Sequence, residues 1–109
     1  IDRVLFPLDE TFPQYELAKK QMKGGCGLLT FSLKHGNVDS ITRFCESLQH
    51  IMMAVSWGGH ESLVIPKCAG IPPADFDASN PEHQYIRLYT GLEDASYLVS
   101  DLNQALDNI

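Results

Sequence analysis

Residues 85–109 read Tyr85-Ile86-Arg87-Leu88-Tyr89-Thr90-Gly91-Leu92-Glu93-Asp94-Ala95-Ser96-Tyr97-Leu98-Val99-Ser100-Asp101-Leu102-Asn103-Gln104-Ala105-Leu106-Asp107-Asn108-Ile109. The first six residues alternate. Ile86 and Leu88 fall on one side, and Tyr85, Arg87 and Tyr89 on the other, which predicts a strand with one apolar face. Glu93 and Asp94 then place negative charge where a helix begins. Ala95, Leu98, Val99, Leu102, Leu106 and Ile109 follow as one apolar stripe. A strand and a helix that each bury a single face predict two packed layers.

Upstream residues extend the same pattern. Cys26 to Lys34 alternates, with Leu29, Phe31 and Leu33 on one face and Thr30, Ser32 and Lys34 on the other, so a second half-buried strand is predicted. Ile41, Phe44, Cys45 and Leu48 have helical spacing, and Asn37 or Asp39 is positioned to cap that helix. Met52 to Ser56 and Ser62 to Pro66 read as two further strands. Residues 1–10 read as an extended lead-in. Thr11 is a candidate N-cap, paired with Gln14, for a helix reaching about Lys23 and ended by Gly24-Gly25. Residues 66–84 carry four of the six prolines and read as one long loop. The predicted fold is α+β: a mostly antiparallel sheet of three or four strands with helices packed on one side, all in a single domain spanning 1–109.

Composition narrows the function. Lys plus Arg number 8 against 14 Asp plus Glu, a net charge of −6. Nucleic acid and anionic membrane require a positive surface, so neither is an expected partner. No apolar run approaches the ~20 residues of a membrane span. Cys26, Cys45 and Cys68 are odd in number and widely spaced, which fits neither a disulfide framework nor a zinc site and points to a reducing cytoplasm. The four histidines form no HxH or HExxH pattern, so no metal is expected. His60-Glu61-Ser62 suggests a triad, but neighbouring strand residues point to opposite faces. Asp, Glu and Lys elsewhere read as solvated faces.

Two places could carry chemistry. Arg87, flanked by Tyr85 and Tyr89, could bind a carboxylate with two parallel hydrogen bonds; the alternative is a surface arginine stacked on tyrosine. Ser56-Trp57-Gly58-Gly59 follows a strand, and its glycines let backbone N–H groups approach an anion while Trp57 walls a pocket. The alternative there is a simple Gly-Gly turn beside a core tryptophan.

These residues also match a family. Glu16-Leu17-Ala18-Lys19-Lys20-Gln21-Met22, Gly27 to Leu33, Ser56-Trp57-Gly58-Gly59-His60-Glu61-Ser62-Leu63, and Ile86-Arg87-Leu88 through Gly91-Leu92-Glu93-Asp94 to Ala105-Leu106 resemble, in order and spacing, four segments of the Cys/Met-metabolism family of pyridoxal-phosphate (PLP) enzymes. The resemblance implies the small C-terminal domain of a fold-type I enzyme of transsulfuration, a cytoplasmic homotetramer acting on a sulfur amino acid. It assigns Arg87 to the substrate α-carboxylate, helped by Ser56 and the Trp57 N–H. Ser-Trp-Gly-Gly resembles cystathionine β-lyases, which implies β-elimination of cystathionine to homocysteine, pyruvate and ammonia. A γ-type member of the family (cystathionine γ-synthase or γ-lyase, methionine γ-lyase, or O-acylhomoserine sulfhydrylase) is the alternative. A free-standing, non-catalytic α+β binding domain is the reading from another class.

Nothing resembles the segment of the Schiff-base lysine. The 109 residues alone are therefore expected to hold no PLP and to catalyse nothing, with the cofactor carried by a missing large domain. The initial Ile1, in place of Met, agrees with a truncated chain.

Overall fold

A computed structural model describes all of residues 1–109. Five strands form one sheet: β1 (Arg3–Leu5), β2 (Leu28–Ser32), β3 (Met52–Met53), β4 (Leu63–Pro66) and β5 (Ile86–Tyr89). Their order across the sheet is β1-β2-β5-β4-β3. Three of the four pairings are antiparallel, and only β3 runs parallel to its neighbour β4. Three α-helices accompany them: α1 (Tyr15–Gln21), α2 (Val38–Ser47) and α3 (Ala95–Leu106). The α+β class and the mostly antiparallel sheet agree with the sequence reading.

The sheet has one strand more than the three or four predicted. The lead-in supplies β1, whose three residues pair Arg3, Val4 and Leu5 with Ser32, Phe31 and Thr30. Three residues are too few to show a period in sequence. The strand predicted over 52–56 shrinks to Met52–Met53, because the chain then leaves the sheet edge.

The core lies between the sheet and α2 and α3. Phe31 and Leu33 from β2 and its end, Val64 from β4, and Ile86 and Leu88 from β5 meet Ile41, Phe44 and Cys45 of α2 and Leu98 and Ala105 of α3. Phe31 and Phe44 pack edge to face with centroids 5.7 Å apart, the favoured aromatic geometry. Burial pushes the Cys45 thiol up to about 12, as befits a small core residue.

Helix α2 begins where its cap predicts: the Asn37 side chain accepts from the Ser40 N–H at 2.9 Å. Helix α1 differs from expectation. It starts at Tyr15, the N-cap position is Gln14, and no side chain caps it. Thr11 instead donates its N–H and its hydroxyl to the Asp9 carboxylate, closing a tight turn before the helix. The 66–84 loop is also more ordered than predicted, because it is built from three short 3₁₀ turns at Lys67–Gly70, Pro73–Asp75 and Pro81–Gln84. Two of these have proline in the first turn, where its fixed φ and missing N–H do no harm.

The predicted stripe on α3 is also displaced. Leu98 is buried, and Leu102 and Leu106 pack on the core, but Ala95, Val99 and Ile109 are exposed. Asp101 is 2% exposed and sits on the inward face. Its carboxylate accepts the N–H groups of Gln49, His50 and Ile51 at 2.9–3.0 Å, and the Gln104 amide at 3.0 Å. The sequence places Asp101 among the solvated acidic residues, and the structure corrects that: it ties the α2–β3 connection to α3. No helix is long and apolar enough to cross a membrane.

Candidate functional site

Arg87 occupies the middle of the central strand. Its register neighbours are Thr30 on β2 and Ile65 on β4. Ile86 and Leu88 point into the core, so period-2 alternation sends Tyr85, Arg87 and Tyr89 to the opposite face, as the sequence predicts. Residues 54–61 cross that face. The chain turns at Gly58, whose φ of +86° lies in the left-handed region that favours glycine.

The structure bonds Arg87 to the backbone of residues 55 and 56, and Trp57 follows next in the same loop. The Arg87 Nη2 donates to the carbonyl oxygens of Val55 and of Ser56, the latter at 3.2 Å. A guanidinium carries five N–H donors, so fixing one nitrogen orients the plane and leaves the other two nitrogens with donors for an anion. Tyr89 donates its hydroxyl to the Gly59 carbonyl at 3.0 Å. Trp57 is 61% exposed, so it is no core residue. Val55, Trp57 and Leu92 are all exposed apolar side chains. The arrangement is a cation held by a loop, with exposed apolar side chains in the same loop and the adjoining turn, and it can bind and orient a small anion.

Beyond the loop lies a network that the sequence does not announce. Glu93 accepts the Ser62 N–H at 2.7 Å and the Ser62 hydroxyl at 2.8 Å. Ser62 Oγ in turn accepts the Gly91 N–H at 2.9 Å. The Leu92 N–H donates to the His60 carbonyl at 2.8 Å. The Ser62 N–H, more than any other group, holds the Glu93 carboxyl below the usual carboxylate range. The Ser62 hydroxyl thus donates its hydrogen bond to the Glu93 carboxylate. His60 stands outside, its Nδ1 3.2 Å from Glu61, so residues 60–62 form no triad. In sequence Glu93 reads as a helix-start charge and Ser62 as the first residue of a strand, and although both lie in the family-resembling segments, nothing pairs them. No spacing rule links positions 31 residues apart.

The residues present do not fit a PLP Schiff-base site. All five lysines (Lys19, Lys20, Lys23, Lys34 and Lys67) are exposed, and Lys19 pairs with Glu16 at 3.0 Å. No three His, Cys, Asp or Glu side chains gather where a metal could bind.

Comparison with known proteins shows the family. Residues 1–107 match the model of the Cys/Met metabolism PLP-dependent enzymes. The chain belongs to that family. It is 39% identical to the cystathionine gamma-lyase of Macaca fascicularis, over 97% of this chain and 27% of that protein. It is 36% identical to the Dictyostelium discoideum cystathionine gamma-lyase (98% and 28%) and 35% identical to the L-methionine gamma-lyase of Treponema denticola (100% and 28%). The crystal structure of metB from Corynebacterium glutamicum superposes with a TM-score of 0.81 at 32% identity, covering 99% of this chain and 28% of that one. The chain therefore spans a little over a quarter of the length of these relatives. The family is PLP-dependent, and the lysine that would carry the cofactor is not supplied by these residues. The named relatives are gamma-lyases, which agrees with the γ-type alternative better than with the β-elimination read from Ser-Trp-Gly-Gly.

Proposed function

We propose that this chain is the carboxylate-binding domain of a PLP-dependent γ-lyase of sulfur amino-acid metabolism. One observation carries the reading. Arg87, at the centre of the sheet and directed away from its core, is bonded to the same loop that presents Ser56 and Trp57. In this reading Arg87 binds the substrate α-carboxylate through its remaining donors, the Ser56 hydroxyl and the Trp57 N–H add further hydrogen bonds, and the Trp57 ring excludes water. These residues position the substrate and make or break no bond. The cofactor, on a separate large domain, supplies the electron sink. That domain, a homotetrameric assembly and a cytoplasmic location belong to the same proposal. So does the expectation that the 109 residues alone are inactive.

Gamma-elimination is preferred because relatives 35–39% identical bear that name. The same likeness weighs against a stand-alone binding domain. The test is to supply the PLP-loaded protein that contains this chain with L-cystathionine and identify the keto acid. Gamma-elimination releases cysteine, ammonia and 2-oxobutyrate. Pyruvate with homocysteine would overturn the γ assignment in favour of the β-elimination that Trp57 suggests. Absence of any keto acid from L-cystathionine and from L-methionine alike would overturn the lyase reading.

A further inference from the structure

The loop that carries Ser56 and Trp57 is fastened at points other than Arg87: the Met52 N–H donates to the Ser62 carbonyl at 3.3 Å, and the other fastenings lie on the segment from β5 to the start of α3. At the crown, the Tyr89 hydroxyl donates to the Gly59 carbonyl at 3.0 Å. At the foot, Glu93 accepts both the N–H and the hydroxyl of Ser62, which is 1% exposed. Between them the Leu92 N–H donates to the His60 carbonyl. The fit is close: a Cβ on Gly91 would overlap the His60 carbonyl oxygen and lie 2.6 Å from the Glu61 carbonyl carbon. Only glycine lets the two segments approach this closely.

We infer that Tyr89 and Glu93 are positioning residues for the carboxylate site, acting through the 56–62 loop without touching the ligand. The inference rests on the carboxylate-binding reading of Arg87. Its physical basis is preorganisation. Without the Tyr89 and Glu93 bonds the loop would keep only its Arg87 and backbone attachments and would have to be ordered further each time a carboxylate bound, whereas one pinned at Gly59 and Ser62 as well is already in place. The two anchors are independent: one is a single phenolic hydrogen bond, the other a charge-assisted pair, which is the stronger kind. Neither side chain points its polar group at the Arg87 guanidinium; both direct it at the loop.

The experiment measures binding, not turnover. Titration calorimetry on the PLP-loaded protein compares L-norleucine, which carries the α-carboxylate, with L-norleucinamide, which does not. The readout is the ratio of the two dissociation constants. Tyr89→Phe should shrink the wild-type preference for the acid by about threefold to tenfold, the usual effect of one net hydrogen bond. Glu93→Gln keeps the side-chain shape and can still accept the Ser62 N–H while its amide donates to the Ser62 Oγ, but it exchanges charge-assisted hydrogen bonds for weaker neutral ones and should shrink the preference by about threefold or more. A general loss of structure would weaken both ligands equally and leave the ratio unchanged, which would overturn the inference. Arg87→Lys separates the two levels of the argument. If it collapses the ratio while Tyr89→Phe and Glu93→Gln do not, the positioning role alone fails. If Arg87→Lys leaves the ratio intact, the carboxylate reading itself fails. Should Glu93→Gln not fold, Tyr89→Phe decides the matter alone, since it deletes one exposed hydroxyl.

Discussion

Asp101 does the structural work that one would expect of a backbone turn. Burial by itself would raise its carboxyl, but the N–H groups of Gln49, Ile51 and His50 and the Gln104 amide outweigh that and hold it below the usual carboxylate range. The carboxylate oxygens divide the work: Oδ1 takes Gln49, and Oδ2 takes His50 and Ile51. An asparagine in its place would have to set an NH₂ against N–H donors. Asp101→Asn should therefore lower the unfolding free energy by about 2–4 kcal/mol, read from urea melts. A carboxyl whose pKa is depressed on folding adds stability above its unfolded value of about 3.9, and that stability is lost as pH falls through the lower folded value. The gap between wild type and Asp101→Asn should thus close progressively below about pH 5. Arg87 is the opposite case: its contacts are with an exposed loop, and Arg87→Ala should cost no more than about 1 kcal/mol in the same melts. A larger loss would mark Arg87 as structural.

Among the elements, legibility follows period and length. Helix α2 is readable because ten residues carry a full apolar face and a side-chain cap at Asn37. Strands β2 and β5 are readable because four or five residues are enough to show alternation. Strand β1, with three residues, is not, and the stripe on α3 is misplaced because a buried carboxylate is indistinguishable in sequence from a solvated one. The candidate site divides in the same way. Arg87 and residues 56–59 stand out through residue type and glycine spacing, whereas Ser62 and Glu93 find each other only in three dimensions. Gly91 belongs with them, since it decides how closely the β5–α3 turn meets the start of β4. Gly91→Ala should destabilise the chain by about 2–3 kcal/mol through overpacking against backbone that cannot retreat. In the PLP-loaded protein it should weaken binding of carboxylate ligands as well, by calorimetry.

Across the full chain, the three thiols report on how the layers close. Cys26 is exposed, Cys68 is half-buried, and Cys45 is enclosed between α2 and the sheet with its thiol pushed up to about 12. A chromogenic disulfide reagent at about pH 8 should consume Cys26 at once, Cys68 more slowly, and Cys45 only after denaturant is added. Release of all three thiols at one rate in native buffer would mean that the core opens freely.

The strand order has a consequence for how such a chain comes into being. Within the sheet, strands β2 and β4 touch no common neighbour except β5, which is made after both. A nascent chain emerging from the ribosome therefore holds the sheet as two separate halves, bridged only through α2, until residues 86–89 arrive, and the long separation between partners makes that joining the slow step. The strand that welds the halves together is also the one that bears Arg87. Completion of the sheet and the placing of Arg87 are a single event, and a chain cut short before residue 86 would have neither.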